Sequence, residues 1–483
     1  MPFCDNTSCT KAPFRDIISY TKAPFRDYCI VFGGKRMEIR RKVYEKMLEW
    51  KKIDNGSSAL LIEGARRVGK SFIAEVFARN EYKSYILIDF SNVPQKIFSL
   101  FEEESDDLDF LFSVLSSYYK VELYKRKSVI IFDEVQLCPK ARQMIKHLVF
   151  DGRYDYIETG SLISLKRNIK DILIPSEEER IKMYPLDFEE FLWAMGDEIT
   201  YPFIKEHYEK KSPLGQLMHK TIMKAFREYM LVGGMPQAVE QYVKNRDFQS
   251  SDRVKKRIIG LYRDDVARFA DGYESKVYSI FNDIPGQLSK KEKKYKLSSL
   301  SKKARFREYE DSFVWLDESM IVNPCFNATD PSVGLKLSED HTTQKIYMGD
   351  TGLLVTLTFQ DNSYMDNELY RDLLLDKISV NEGMLMENVV SQMLRASGHS
   401  VYFYSRSDTD NRENNMEIDF LIKQGRKICP VEVKSSAYRK HSSLDKFVSR
   451  FNNRLGDKYI LYGKDVMIKD EIIHLPLYMA GLL

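Results

Sequence analysis

The sequence predicts an α/β protein with two separate sheets and a largely helical region between them. Three observations indicate this. Short apolar runs alternate with helical patterns before residue 160, helical spacing dominates from about residue 208 to 270, and strand patterns return after residue 400. Strands that alternate with helices form a parallel sheet covered on both faces. The chain of 483 residues is also too long for one ordinary core, since a domain averages roughly 150 residues.

The individual elements follow from local patterns. A helix is predicted over 40–50, and the strands of the first sheet are 59–62, 85–89, 128–132 and 157–160. Helical patterns over 187–195 and 208–270 are interrupted by the turn-like Gly233-Gly234-Met235-Pro236. The apolar stretch 312–322 is predicted as a strand that ends a small module of winged-helix type. A helix over 383–396 then precedes the second sheet, with strands at 401–404, 417–422, 428–434 and 459–462.

These patterns divide the chain into five segments. Residues 1–36 contain the heptapeptide TKAPFRD twice and little periodic apolar pattern, so a weakly ordered tail is predicted there. The other segments are a nucleotide-binding α/β domain, a helical lid region, the winged-helix-like module and a C-terminal α/β domain. Their predicted bounds are 37–200, 201–275, 276–340 and 341–483.

Composition excludes several classes of protein. Apolar residues make up 43% and charged residues 30% of the chain, which is typical of a soluble globular protein. No apolar run approaches the roughly 20 residues that span a bilayer, and the N-terminus has no signal-peptide pattern. The six cysteines show no CxxC pair. We therefore expect a cytoplasmic protein in a reducing compartment, without a membrane partner.

A glycine-rich segment between a predicted strand and a predicted helix fits the pattern G-x-x-x-x-G-K-[ST] at every fixed position. In such a loop, backbone N–H groups wrap the β-phosphate, and the following helix directs its positive end at the anion. The lysine supplies a charge to the β- and γ-phosphates, and the serine hydroxyl binds Mg²⁺. An ordinary strand-to-helix turn is the alternative. The segment consists of Gly64, Ala65, Arg66, Arg67, Val68, Gly69, Lys70 and Ser71.

Two carboxylates end the predicted strand 128–132. Asp133 and Glu134 are expected at the carboxyl edge of the parallel sheet, where ligands of open α/β folds bind. We expect Asp133 to hold Mg²⁺ and Glu134 to polarise the attacking water, because phosphoryl transfer depends mainly on positioning and charge stabilisation. A solvated strand end is the alternative. Together the two motifs predict a P-loop ATPase that binds ATP and Mg²⁺.

Three further residues have two interpretations each. Thr159 and Ser161 follow the next strand, where their hydroxyls would sense the γ-phosphate, or Ser161 would only cap a helix. Arg180 is either an arginine finger, in cis or toward a neighbouring subunit, or an ordinary surface arginine. A homo-oligomer is therefore one candidate assembly.

A second acidic pattern lies in the C-terminal segment. Asp419 is in the alternating strand 417–422, and Glu432 and Lys434 share one face of the next strand. The two carboxylates, with Glu387 from the preceding helix, would bind a divalent ion, while Lys434 would activate water and steady transition-state charge. Exposed charges at a sheet edge are the alternative. The pattern favours a nuclease-like site.

A basic segment precedes this domain. Residues 287–310 contain nine Lys or Arg against three Glu, a local balance of +6, with Tyr295, Phe306 and Tyr309 among them. Such a segment suits phosphate contacts and base stacking, or it is a solvated face with packed aromatic residues.

With these motifs, the chain resembles a family of prokaryotic AAA-type ATPases that are fused to a C-terminal domain of unknown function with a PD-(D/E)xK nuclease-like fold. The resemblance covers nearly all residues from Met37 onward. It implies an ATPase core, a helical lid, a winged-helix-like insert and a restriction-enzyme-like end domain. One departure is Glu179 before Arg180, where the family usually has glycine. The resemblance is carried by GARRVGKS, IIFDEVQ, YIETGSLISL, YPLDFEEFL, LVGGMPQAV, LYRDDVARF, EIDFLI and PVEVKSS.

Two functional hypotheses follow. In the first, ATP turnover gates a Mg²⁺-dependent nuclease that acts on DNA. In the second, the protein is a nucleotide-dependent switch or scaffold, whose inactive end domain binds a protein partner.

Overall fold

The computed structural model describes most of the chain after residue 38. The described ranges are 39–103, 107–160, 176–290, 294–360, 367–374, 382–408, 414–435 and 441–483. The predicted tail, residues 1–36, lies outside them, and so does Ser161.

The first sheet has five parallel strands in the order β2-β3-β4-β1-β5. Because β4 lies between β1 and β3, it brings its own carboxyl end between those of the other two. The strands are β1 (Ala59–Gly64), β2 (Ser84–Asp89), β3 (Ser128–Asp133), β4 (Asp155–Gly160) and β5 (Glu178–Met183).

Helices cover this sheet, which confirms the predicted parallel α/β arrangement. Every residue of β1, β3 and β4 is buried, as expected of strands with helices on both faces. On one face, Phe90, Phe101 and Phe132 form an aromatic cluster with ring centroids 5.5–5.9 Å apart. The helices of this part are α1 (Val43–Ile53), α2 (Lys70–Glu81), α3 (Gln95–Glu103), α4 (Leu108–Tyr119), α5 (Pro139–Gln143) and α6 (Ile145–Asp151).

The middle of the chain is helical, as predicted. The turn at Gly233-Gly234-Met235-Pro236 is also confirmed, because one helix ends at Val232 and the next begins at Pro236. A side chain on Gly234 would collide with the backbone of Leu186, so this turn packs tightly on the chain that leaves β5. The helices are α7 (Phe188–Ala194), α8 (Thr200–Glu209), α9 (Gln216–Val232), α10 (Pro236–Asn245), α11 (Phe248–Phe269), α12 (Glu274–Ser289) and α13 (Phe306–Glu318).

The second sheet has eight strands in the order β12-β13-β11-β10-β9-β8-β6-β7. From β8 to β10 neighbouring strands are antiparallel, whereas β11 runs parallel to both β10 and β13. The strands are β6 (Val322–Ala328), β7 (Glu339–Met348), β8 (Tyr402–Arg406), β9 (Met416–Gln424), β10 (Lys427–Lys434), β11 (Lys458–Tyr462), β12 (Met467–Lys469) and β13 (Ile472–Pro476). The helices of this part are α14 (Thr351–Thr358), α15 (Asn367–Leu374), α16 (Glu382–Ala396) and α17 (Ser442–Phe451).

The prediction for residues 312–322 was wrong. Most of that stretch belongs to α13, which buries Phe313, Trp315 and Leu316, and a strand begins only at Val322. The error arises because a short apolar run is compatible with a strand and with a buried helical segment, and periodicity over so few residues does not separate the two. The strand that follows, β6, pairs with β7 and with β8. Strand β7 includes residues on both sides of the predicted domain boundary between 340 and 341.

None of the described helices combines the length and the apolar character that crossing a membrane requires.

Candidate functional site

The glycine-rich segment connects β1 to α2 at the carboxyl edge of the first sheet. Gly69 has a φ of +98°, in the left-handed region that favours glycine, and α2 begins at the next residue. Arg67 also has a positive φ, of +71°, and its side chain is exposed. The loop therefore turns sharply enough to direct backbone N–H groups toward the start of α2, where an anion is favoured.

Lys70 has an unusual environment for a buried lysine. Its Nζ donates hydrogen bonds to the carbonyl oxygens of Gly64, at 2.9 Å, and Ala65, at 3.0 Å. Within the described part of the chain, no carboxylate lies within ion-pair distance of it. Burial lowers the pKa of Lys70, although Glu134 and Asp133 act in the opposite direction. A buried ammonium group without an ion pair is costly alone, so the site favours an anionic ligand.

The hydroxyl groups of two residues converge on Asp133. Ser71 Oγ donates to Asp133 Oδ1 at 2.6 Å, and Thr159 Oγ1 donates to the same oxygen. Burial raises the pKa of Asp133, and these two hydrogen bonds oppose the rise. The strand order explains the contact, because β4 places Thr159 between the glycine-rich segment and the end of β3.

Glu134 follows directly in a left-handed conformation, with a φ of +53°. Its Oε2 accepts a hydrogen bond from the Gln136 side chain, which fixes the carboxylate next to Asp133. Arg180 lies elsewhere: its Nε is 2.7 Å from Glu178 Oε1, and it pairs with Leu61 in the middle of the sheet. Since β5 ends at Met183, Arg180 is about 10 Å from the carboxyl edge within its own chain.

The residues at this edge fit magnesium bound together with a nucleotide. Ser71 Oγ and Asp133 Oδ1 are hard oxygen donors already within 2.6 Å of each other. Mg²⁺ is usually held by only one or two protein oxygens plus phosphate oxygens and water. Ser71 and Asp133 are therefore the residues that would hold the ion.

Several contacts around the loop could not be predicted from local sequence patterns. Buried Arg41 donates from Nη1 to the Val68 carbonyl at 2.8 Å and from Nη2 to the Tyr184 carbonyl at 2.6 Å. Helix α11 also reaches the loop, because Arg66 Nη1 is 2.6 Å from Asp265 Oδ1. Tyr262 on the same helix donates to the Arg66 carbonyl at 3.1 Å. These contacts join residues 27 to 199 positions apart, which local patterns do not report.

The C-terminal residues predicted to act together do lie together. Asp419 and Glu432 are on adjacent antiparallel strands, and Asp419 Oδ2 accepts a hydrogen bond from Val433 N at 2.9 Å. Lys434 Nζ lies 2.6 Å from Glu432 Oε2. These side chains and Glu387 line one cavity of about 260 Å³.

Two residues that the sequence analysis missed complete this cluster. Lys345 on β7 is buried, and its Nζ lies 3.0 Å from Glu417, 3.7 Å from Glu387 and 3.8 Å from Asp419. Tyr347 on the same strand donates to Glu387 Oε2 at 2.9 Å. No signal was available, because the strand character of 339–348 becomes evident only from its pairing with β6.

As arranged, these carboxylates do not fit a divalent ion. Two of the three expected ligands, Glu387 and Asp419, face an ammonium group, and the third, Glu432, faces Lys434. Across the described residues, no group of three His, Cys, Asp or Glu side chains has an arrangement that holds a metal.

The basic segment borders the same cavity. Lys294 and Tyr295 line it, and Tyr295 N donates to the Gln344 carbonyl at 2.7 Å. Tyr295 is buried, with its ring 5.4 Å from that of Phe313, and Phe306 stacks on Phe313 at 5.7 Å. These two aromatic rings therefore pack in the protein and do not present free faces for bases. Residues 291–293 lie outside the described ranges.

Comparison with protein families gives three matches. Residues 56–192 match the AAA domain, 223–364 match a domain of unknown function, DUF8612, and 382–478 match another, DUF4143. No curated protein is similar enough in sequence to be a match.

Solved structures give only distant similarities. The Thermotoga maritima RuvB Holliday junction branch migration motor is 13% identical, with 46% of this chain and 64% of that chain covered and a TM-score of 0.26. C. elegans PCH-2 is 14% identical, over 43% of this chain and 60% of that one, with a TM-score of 0.24. The Pyrococcus furiosus Hef helicase domain is 12% identical, over 50% and 66%, with a TM-score of 0.18.

The chain spans less than two thirds of the length of each of these three structures, and TM-scores this low do not establish a shared fold. The family match is independent of them and coincides with the five-stranded parallel sheet and its glycine-rich loop. Residues 56–192 therefore contain the glycine-rich P-loop sequence within a segment that matches the AAA domain.

Proposed function

We propose that this protein binds ATP with Mg²⁺ at the carboxyl edge of the first sheet and hydrolyses it there. The observation that carries the proposal is the buried Lys70 ammonium group, whose hydrogen-bond partners among the described residues are two carbonyl oxygens, beside Ser71 and Asp133. Lys70 would release its carbonyl bonds to contact the β- and γ-phosphates. Mg²⁺ would neutralise phosphate charge, and Thr159 and Glu134 would position the γ-phosphate and the attacking water.

A second part of the proposal is that the nucleotide acts on the C-terminal half through helix α11. One end of this helix holds the loop by the Arg66–Asp265 pair. Near its other end, Asp252 Oδ1 accepts from Thr356 Oγ1 on α14 at 2.8 Å. At the start of α14, Thr351 N donates to Gln392 Oε1 on α16 at 2.8 Å, and α16 also carries Glu387. Packed elements connected in this way can transmit a change at one site to another.

The test is ATP binding and hydrolysis by the full chain and by Lys70→Ala. We expect the variant to lose at least about a hundredfold in turnover, because the lysine stabilises transferring phosphate charge. Lys52→Ala, at an exposed position on α1, is the matched control and should behave as the wild type. Equal turnover by Lys70→Ala and the wild type would refute the proposal.

A second candidate function concerns the C-terminal cavity, where we propose a nuclease-like, DNA-contacting site. Its support is that Lys294 and Lys434 line the cavity together with Asp419 and Glu432. The order of α16, three antiparallel strands, α17 and a strand parallel to β10 also suits the nuclease-like fold that the resemblance implies. The alternative is an inactive end domain that binds a protein partner.

DNA binding and DNA-stimulated ATP turnover separate these functions. If the cavity is a nuclease site, Asp419→Asn removes cleavage and leaves DNA-stimulated turnover, and Lys294→Glu weakens DNA binding in a salt-dependent manner. Absence of DNA binding at low salt would exclude the site. ATP-dependent change in oligomer size without cleavage would then favour the switch or scaffold.

A further inference from the structure

The C-terminal cavity contains a positive charge from the protein itself at the position where the sequence predicts a metal. Lys345 extends from β7, the edge strand of the second sheet, and its Nζ is within 4 Å of three carboxylates. These are Glu387 from α16, and Glu417 and Asp419 from β9. Three distant parts of the chain thus line one cavity, namely β7, α16 and the consecutive strands β9 and β10, the last with Glu432 and Lys434.

With Lys345 included, the ammonium groups of the cavity number one fewer than its carboxylates, so this lysine brings the formal charge close to balance. Four carboxylates line it, from Glu387, Glu417, Asp419 and Glu432, and they face the ammonium groups of Lys294, Lys345 and Lys434. Burial alone would lower the pKa of Lys345, but the carboxylates of Glu387, Asp419 and Glu417 outweigh it and hold the pKa above its ordinary value. The lysine therefore stays charged.

A divalent ion would compete directly with this ammonium group. Mg²⁺ and Ca²⁺ need oxygen ligands within about 2.0–2.6 Å, and strong repulsion opposes a second cation at that distance from Nζ. Removal of Lys345 would leave the carboxylates with a clear excess of negative charge. Both oxygens of buried Glu432 are without a hydrogen-bond donor among the described residues, while Lys434 Nζ lies 2.6 Å from its Oε2. An entering ion would therefore have to replace Lys434 to gain Glu432 as a further ligand.

We infer that Lys345 is the resident cation of the C-terminal cavity, and that a divalent metal ion binds there only after its ammonium group leaves the carboxylates. The inference concerns the cavity of the second proposed function. It is tested without DNA or ATP, so its failure is distinguishable from absence of nuclease activity. If the cavity is a nuclease site, Lys345 would keep the metal ion from binding until its ammonium group moves away from the carboxylates.

The experiment measures Mn²⁺ binding by electron paramagnetic resonance in the nucleotide-free full chain. All proteins carry Asp133→Asn, which removes the carboxylate ligand of the ATP site. We expect Lys345→Met to bind one Mn²⁺ at least about tenfold more tightly than its parent, because the competing charge is absent. Lys345→Arg keeps the charge and is expected to match the parent. Addition of Asp419→Asn to Lys345→Met should reverse the gain.

Equal Mn²⁺ affinity of the parent and Lys345→Met would overturn the inference, and so would a folded Lys345→Met that binds no ion. Circular dichroism establishes folding. If Lys345→Met does not fold, Lys345→Gln takes its place, and Mn²⁺ binding by the parent remains decisive. Tight binding by the parent at the Asp419 site contradicts a resident lysine, whereas its absence supports one. Thermal melting gives a second readout, since an ion that binds only the folded variant raises its Tm.

Discussion

The two candidate sites treat a buried lysine in opposite ways. In the AAA domain, Lys70 has two carbonyl oxygens as partners and a lowered pKa, while the described residues place no carboxylate in ion-pair contact with it. In the C-terminal cavity, Lys345 faces three carboxylates and has a raised pKa. The first lysine lacks a partner that an anionic ligand would supply. The second is already neutralised by its own chain.

The two lysines show that the partners of a buried charge indicate whether a ligand is expected beside it. A charged group is tolerated in the interior when it is paired and hydrogen-bonded, and removal of one partner leaves the other exposed to the full cost of burial. An incompletely compensated charge therefore indicates a place for a ligand, whereas a fully compensated one indicates a structural role. The two lysines should respond differently to the same substitution.

The largest expected effect is on stability. Lys345→Met should lower the free energy of unfolding by about 3 kcal/mol, because three partly buried carboxylates lose their cation. Lys70→Met removes a buried charge for which the described residues supply no ion pair, so we expect a change of less than about 1 kcal/mol. Denaturant unfolding monitored by circular dichroism measures both. An equal decrease in the free energy of unfolding of the two variants would contradict the different roles assigned to the two lysines.

The next effect is on chemistry. Glu134→Gln should lower ATP turnover about 10²- to 10³-fold and keep ATP binding, because positioning of the attacking water is lost while the phosphate contacts remain. The matched change in the other site, Glu432→Gln, should leave basal turnover, measured without DNA, within roughly twofold, because Glu432 lines the C-terminal cavity and contacts neither the nucleotide nor the attacking water. Turnover by single-turnover kinetics and binding by a fluorescent nucleotide separate the two quantities. Loss of ATP binding in Glu134→Gln would contradict this assignment.

Lys255 on α11 gives an intermediate case. Its Nζ donates to the Leu231 carbonyl at 2.7 Å and the Tyr370 hydroxyl at 2.9 Å. Burial lowers the pKa of Lys255 to about 8, against the opposing effect of Asp252 and Asp350. The unfolded chain, with a lysine pKa of about 10.4, binds more protons between these two values, so this group makes stability rise with pH there.

Relative to Lys255→Met, the wild type should therefore gain about 2 kcal/mol in free energy of unfolding from pH 8 to pH 10. The difference should be constant below pH 7, where the lysine is protonated in both states. Urea unfolding of both proteins across this range measures it, and titration of tyrosines affects both alike. A difference that is flat from pH 8 to pH 10 would show that Lys255 is not perturbed.

The smallest effect is expected at the contact between the loop and α11. The Arg66 side chain is 41% exposed and that of Asp265 19% exposed, so the pair should contribute about 0.5 kcal/mol to stability. If α11 transmits the nucleotide state, Arg66→Ala and Asp265→Asn should nevertheless alter DNA-stimulated turnover in a non-additive way. A double-mutant cycle tests this, and simple additivity would argue against transmission through this pair.

Much of the fold could be predicted from the sequence where the signal is local. The strand before the glycine-rich loop was predicted from its apolar run and is fully buried in the structure. The break at 233–236 was predicted from its glycines and proline, and one helix ends before it and the next begins at Pro236. Residues 312–322 could not be assigned correctly, because a short apolar run fits both a strand and a buried helix. The strand β6, which begins just after this stretch, is stabilised by its pairing with β7, a later segment of the chain.

The nucleotide loop could be predicted without any coordinates, because eight consecutive residues contain the glycines, the lysine and the serine that a phosphate site needs. The charge arrangement of the C-terminal cavity, in contrast, follows from the packing of distant segments. Lys345 meets Glu387 and Asp419 through the pairing of β6 with both β7 and β8, and no spacing along the chain encodes that meeting. The two cases differ in sequence separation. A loop forms from neighbouring residues, whereas the neutralisation of Lys345 depends on which distant strands lie side by side.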